Sequence, residues 1–267
     1  MDENASYQYF EDVNWGLLRL WGKRRGLRVL DVGCGFATTS EYIQKRGNDV
    51  TGIESSAEAC AVGARRVSRM IHADLVTAPL DGLQFDAIIF ADVLEHVPWP
   101  VGVLKRYLDV LAPGGSVIVS LPNVGLWSVR FAHLFGKWDY EETGVLDRTH
   151  LRFFTRKSAK WLLGQAGLEP VKTMYNPGLV RPFVPLAKRL LGRGASPAES
   201  RPALSTSQPQ AESQPLRNGG GHDPSALLKS RPYQLYLKTA YPIERAIASL
   251  WPGMLAFQMI YEAKRAQ

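Results

Sequence analysis

Cysteine is nearly absent from this chain of 267 residues: Cys34 and Cys60 are the whole supply. Two isolated cysteines make no disulfide framework and no zinc-type spacing, so a reducing cytoplasm is the expected setting. Long apolar runs are missing as well. The longest candidate, around residues 250–260, is interrupted by Pro252 and Gly253, which argues against a membrane span. The opening MDENASYQYFEDV is polar and acidic, unlike a secretory leader. Aromatics are absent from residues 194–230, where Ser, Pro, Gln, Gly and Ala dominate. Such a stretch buries too little apolar area to offset its ordering entropy, so disorder is expected there.

What is present is enough for a sizeable core: 45% of the residues are hydrophobic. The net charge of +7 raises nucleic acid or an anionic membrane as partners. The basic residues are scattered, however, and no nucleic-acid-binding motif accompanies them, so a nucleic-acid partner is not expected. From Leu27 onward, strand and helix patterns alternate. LRVLDV, NDVTGIE, MIHAD, FDAIIFADVL and SVIVSLPN read as strands with helical stretches between them. Ser55 or Ser56 caps the second helix, with Glu58 placed for a capping box. Alternation of this kind belongs to an α/β fold, a mostly parallel sheet wound with helices on both faces. An aromatic helix, VGLWSVRFAHLFGKWDY, sets Trp127, Phe131, Leu134, Phe135 and Trp138 on one face, for which packing against the sheet is expected and a substrate lid is the alternative. TRKSAKWLLGQAG is a further capped helix, LEPVKTMY a sixth strand, and MLAFQMIYEAK a last strand.

The chemistry concentrates in RVLDVGCGFATTSEYIQKRGNDVTGIE, residues 28–54. A strand ending in an acid, then Gly-x-Gly, then a helix, brings backbone close to a ligand at the carboxyl ends of the strands. A dinucleotide turn needs a third glycine where Thr38 stands, and Asp31 would repel a pyrophosphate. A cationic, phosphate-free ligand suits it better, and S-adenosylmethionine (SAM) carries both an ammonium and a sulfonium. On this reading Asp31 holds the amino-acid end, Gly33 and Gly35 let the backbone pass under the ligand, and Glu54 takes the ribose hydroxyls.

LDVGCGFAT, VTGIE, HADL, FDAIIFADVLEHV and LAPGGSVIVSLPN occur in the order and spacing of the class I SAM-dependent methyltransferases, which residues 10–175 resemble. DVLEHVPWP followed by TGVLDRTHLRFFTRKS resembles the small-molecule branch that includes ubiquinone-biosynthesis O-methyltransferases and bacterial glycan and natural-product methyltransferases. The resemblance implies a Rossmann-like, seven-stranded, mostly parallel sheet with an antiparallel last strand. It further implies that Asp74 and Leu75 contact the adenine, and that Ala91 and Asp92 line the floor of the donor pocket. The expected organisation is a SAM-binding core over residues 1–175, an insertion over 176–252 containing the disordered stretch, and a last strand over 253–267 that rejoins the core.

An oxygen nucleophile needs its proton removed, or its acidity raised by a metal. Asp92, Glu95 and His96 fall at i, i+3 and i+4, so one helical turn would present them together, and His150 follows later in the chain. Carboxylates with imidazoles make a divalent-metal set, better suited to Mn, Fe or Zn than to Mg. The pattern is similar to the metal-binding E-x-x-E-H and later His of RNA 2'-O-methyltransferases and ubiquinone O-methyltransferases. Here the first position is Asp, with a shorter side chain. Three readings stay open: Glu95, His96 and His150 as structural hydrogen-bonding groups, His96 or His150 as a general base, and Asp92, Glu95, His96 and His150 as a metal site. His72 and His133 are expected to be packed, and Arg148 and Arg152 are candidates for an anionic substrate.

The expected function is O-methylation of a small molecule, a sugar or a lipid-linked precursor. The alternatives are an RNA 2'-O-methyltransferase and a non-catalytic SAM-binding regulatory protein. Basic-edged apolar segments, PLAKRLLGR and YPIERAIASLWPGM, leave peripheral membrane contact open beside packing over the pocket.

Overall fold

The computed structural model describes residues 13–179 and 238–266. The expected disorder at 194–230 and most of the 176–252 insertion lie outside the described residues. Two compact units divide the chain, residues 1–179 with 245–267 and residues 180–244. The sheet belongs to the first.

Seven strands form one sheet: β1 (Arg28–Val32), β2 (Asp49–Glu54), β3 (Arg69–His72), β4 (Phe85–Ala91), β5 (Leu111–Pro122), β6 (Leu168–Pro177) and β7 (Ala256–Arg265). Their order is β3-β2-β1-β4-β5-β7-β6. β7 runs antiparallel to both of its neighbours, while β1 to β5 pair in parallel. The expected seven-stranded, mostly parallel sheet with an inverted last strand is therefore present. The chain leaves β1 towards β3 on one side and β4 on the other, so the carboxyl ends of β1 and β4 flank a topological switch point, where open α/β sheets bind ligands.

Strand alternation sorts the core into two faces. Leu30, Val32, Ile88 and Phe90 join one apolar cluster, whereas Val29, Ala87 and Ile89 join the other. Helices α1 (Trp15–Trp21) and α2 (Thr38–Lys45) cover the second face with Leu17, Leu18, Trp21 and Ile43. Helices α4 (Pro100–Leu108) and α6 (Arg156–Gln165) cover the first with Leu104, Tyr107, Leu162 and Leu163. The Thr155 hydroxyl caps α6 in a reciprocal pair with Ser158. At α3 (Ala57–Gly63) the cap is Ser56, so Glu58 falls at the second helical position and the expected capping box does not form.

Helix α5 (Trp127–Leu134) departs from expectation. None of its residues is buried, and Phe131, Leu134 and Phe135 are exposed. The expected packing of its apolar stripe against the sheet is not found. The last helices, α7 (Ala240–Leu250) and the short α8 (Pro252–Leu255), lead into β7. No helix among the described residues is long and apolar enough to cross a membrane.

Asn123, just past β5, ties this end of the sheet together. It is fully buried; its Nδ2 donates to the Ala256 carbonyl at 2.7 Å, its Oδ1 accepts from the Gly125 amide at 3.0 Å, and its own amide donates to Phe257 O at 2.7 Å. Asn123→Ala should cost about 2 kcal/mol of unfolding free energy, since buried backbone groups lose their partners. Denaturant titration of the two proteins measures it, with the midpoint falling and the slope unchanged.

Candidate active site

The turn after β1 is built from residues with left-handed backbone: Gly33, Gly35 and Ala37 have φ of 68°, 53° and 55°. Gly33 has no room for a side chain, because a Cβ there would stand 2.8 Å from Cγ2 of Val93. The turn after β4 begins with Asp92, also left-handed at φ 56°. The two turns thus meet back to back at the switch point.

Asp31 lies in β1, on the face covered by α2. It is buried, and Ser40 Oγ donates to its Oδ2 at 2.5 Å. Its Oδ1 is also buried and has no hydrogen-bond partner. Burial pushes the carboxyl up to about 7; the neighbouring charge of Glu54 adds to this, and the Ser40 hydrogen bond works against it. Glu54 ends β2 and gathers the turns around it. Oε2 accepts from the Gly35 amide at 2.9 Å, and Oε1 accepts from the Ser56 amide at 2.8 Å and from the Ser55 hydroxyl at 3.2 Å. Beyond β3, Asp74 is exposed and its Oδ1 accepts from the Val76 amide at 2.7 Å. The Leu75 carbonyl accepts from Tyr107 Oη at 2.7 Å, and Ala91 closes β4, half-buried.

The second group follows β4. Leu94–His96 form a single 3-10 turn, not an α-helical one. Glu95, His96 and His150 come together, with one ligand-capable atom from each within 4.8 Å of the others. His150 Nε2 stands 4.0 Å from Glu95 Oε1, and the two imidazoles cross edge to face with centroids 4.8 Å apart. Asp92 is outside this triplet. The tighter turn and the left-handed Asp92 backbone send its carboxylate towards the last strand, where Oδ2 accepts from Gln258 Nε2 at 2.6 Å. The expected four-residue set is a triplet plus a separate carboxylate.

Glu95 is almost fully buried; burial, then the charges of Asp92 and Asp147, holds its carboxyl well above the usual carboxylate range. Its Oε2 is buried without a hydrogen-bond partner. Burial lowers the pKa of both histidines, and for His96 the charge of His150 adds to the effect. His150 Nδ1 lies 3.3 Å from the Val145 carbonyl, which selects Nδ1 as the protonated nitrogen and leaves Nε2 basic. His96 Nδ1 lies 3.2 Å from the Thr149 carbonyl. An aromatic chain runs outward from there: Phe153 against His150, with centroids 6.2 Å apart, then Trp138 against Phe153 at 5.4 Å and Tyr140 at 6.3 Å.

The remaining candidates fall elsewhere. His72 and His133 are exposed, contrary to the expected packing. His72 Nε2 meets the Ser55 carbonyl at 2.9 Å, and His133 stands edge-on to Trp138. Arg148 pairs with Glu142, and Arg152 donates to the Pro98 carbonyl at 2.7 Å. Sequence reading missed Ser40 and Gln258. Ser40 had a legible signal, a small polar residue three before the buried Ile43 on the apolar side of α2. Gln258 had only its polarity within an apolar strand.

Residues 2–173 match a family described as a methyltransferase domain. The ubiquinone biosynthesis O-methyltransferase of Dechloromonas aromatica is 32% identical over 193 residues, covering 66% of this chain and 82% of its own. The chain belongs to the SAM-dependent methyltransferases. Solved structures agree on the fold of this methyltransferase. A SAM-dependent methyltransferase from Archaeoglobus fulgidus superposes with a TM-score of 0.53 at 16% identity, over 93% of this chain and 90% of its own. A Haemonchus contortus phosphoethanolamine N-methyltransferase in complex with SAM gives 0.54 at 14% identity, over 95% and 52%.

Gly33→Ala would force a side chain into both a left-handed backbone and the Val93 methyl. The methyltransferase should lose about 1–3 kcal/mol of stability from the strained backbone and the overpacked contact. Thermal unfolding of the variant should show this loss, and Val93→Ala in the same chain should restore part of it by vacating the contact.

Proposed function

We propose that this methyltransferase is O-directed and acts on a small hydroxylated acceptor, such as a phenol, a sugar or a lipid-linked precursor. The observation that carries the reading is the Glu95–His96–His150 triplet just beyond β4, two imidazoles with depressed pKa beside a buried carboxyl. An N-directed enzyme acting on a neutral amine has no comparable need for a proton acceptor or a cation beside the acceptor. The name of the Dechloromonas aromatica relative, an O-methyltransferase, points the same way.

The donor, when bound, supplies a methyl group already activated by the sulfonium. The protein's part is to hold it in line with the nucleophile. The buried, unpartnered Oδ1 of Asp31 fits the cationic amino-acid end of SAM. Glu54 receives the ribose hydroxyls, Gly33 and Gly35 keep the floor thin, Asp74 and Leu75 face the adenine, and Ala91 with Asp92 closes the pocket from below. On the acceptor side, His96 and His150 are neutral at pH 7 and can take up a proton or donate a lone pair. The unpartnered Oε2 of Glu95 favours a cation among the three. Glu95, His96 and His150 would hold it, and a mixed N/O donor set suits Mn, Fe or Zn. Such an ion lowers the pKa of an acceptor hydroxyl when bound. Phe153, Trp138 and Tyr140 offer apolar and planar surfaces to the body of the acceptor.

The pH dependence of donor binding follows from Asp31. Its carboxyl is neutral in the unliganded fold below about pH 7, and a cationic ligand needs the anion. Affinity for SAM should therefore strengthen as pH rises through 7, with a proton released on binding below that pH. Calorimetry in buffers of different ionisation enthalpy reads both effects. In Asp31→Asn the pH dependence should vanish and binding at pH 8 should be weaker.

The O-directed reading is tested by methyl transfer from SAM to catechol, with product formed as the readout. Chelation should abolish turnover, and added Mn or Zn should restore it. Full activity in chelator would remove the cation, and transfer to amines but not to hydroxyls would overturn the proposed acceptor class.

A further inference from the structure

The last strand carries a polar side chain to the turn after β4. Gln258, near the start of β7, is buried, and its two amide atoms are both engaged. Oε1 accepts from Asn176 Nδ2 at 2.5 Å, and Nε2 donates to Asp92 Oδ2 at 2.6 Å. Asn176 faces Gln258 directly in the β6–β7 register. The amide cannot flip, because its oxygen would then meet the Asp92 carboxylate and its nitrogen would meet the Asn176 donor.

Asn176 has little latitude of its own. Helix α1 approaches so closely that a Cβ on Gly16 would stand 2.3 Å from Asn176 Oδ1 and 2.7 Å from Nδ2. At the other end of the chain of contacts, Asp92 holds a left-handed backbone, with its amide donating to the Ser120 carbonyl at 3.3 Å. The next residue, Val93, is the one that packs against Gly33 of the donor turn.

We infer that Gln258, oriented by Asn176, is a positioning residue for methyl transfer. It holds the Asp92 carboxylate at the end of β4, apart from the Glu95–His96–His150 triplet, and the Gly16–Asn176 contact links that setting to helix α1. An anionic group held in one register beside the donor keeps the sulfonium and the incoming nucleophile aligned, where small displacements are costly in rate. The inference rests on the O-directed reading only for its activity arm.

The test combines a double-mutant cycle with a measurement that needs no turnover. Gln258→Leu, Asp92→Gly (which tolerates the left-handed backbone) and the double variant are assayed with SAM and catechol, and SAM affinity is measured separately by calorimetry. Gln258→Leu should lower kcat about tenfold, the effect of removing a hydrogen bond to a charged group, while SAM affinity stays within about twofold. The double variant should be no slower than the slower single variant. Gly16→Ala, which crowds Asn176, should lower kcat in the same direction by less. Losses that multiply in the double variant would overturn the relay.

In the second arm, the side-chain amide protons of Gln258 are followed by NMR in protein labelled with 15N-glutamine. They should exchange slowly in the native enzyme and rapidly in Asp92→Gly. Rapid exchange in the native enzyme would overturn the relay whether or not catechol is methylated. Failure of the native enzyme to methylate catechol, with slow exchange retained, would count against the acceptor reading and leave the relay supported.

Discussion

The contact between Gly33 and Val93 is the constraint on which the site depends. It presses the turn after β1 onto the turn after β4, and it exists because one partner has no side chain. Through it, the strand ends that carry Asp31 and Glu54 are set against the turn that carries Asp92 and Glu95. A side chain at Gly33 would move the end of β1 away from the end of β4.

Buried acids stand on both sides of that contact, and their surroundings set them to different tasks. Asp31 has a hydroxyl on one oxygen and no hydrogen-bond partner on the other, so burial makes its charge costly. Glu54 is surrounded by three donors and serves as the knot that holds the Gly35 and Ser56 turns. Glu95 resembles Asp31 in being raised by burial with one oxygen unpartnered, but its neighbours are two imidazoles. Asp92 is engaged by an amide from the far end of the chain. Four carboxylates at the ends of β1, β2 and β4 thus stand in four different environments, as set by burial and neighbours.

Strands β1, β2 and β4 were legible because each carries a short apolar run that ends at a glycine or an acid, and the inverted last strand followed from the family resemblance. Helix α5 was misread because its stripe of Trp127, Phe131, Leu134 and Phe135 has the periodicity of a packing face whether or not a sheet is free to receive it. Whether a helix face ends up buried depends on the volumes around it in the fold, which periodicity does not carry. His72 and His133 were misplaced for a similar reason: adjacency to apolar residues in the sequence says little about which side of a strand end or helix a ring leaves from.

Local order decided the first group of candidate residues. Asp31, the glycine pair and Glu54 lie within one strand–turn–helix–strand unit, and residues so close in the chain reach each other through backbone conformations that their own side chains, or the lack of them, select. The second group, after β4, needed the whole sheet. His150 reaches Glu95 across a loop, and Gln258 reaches Asp92 across 166 residues, because β7 inserts beside β5 in one register. Pairings at that separation depend on sheet order and on which volumes are already filled, and no stretch of sequence contains either.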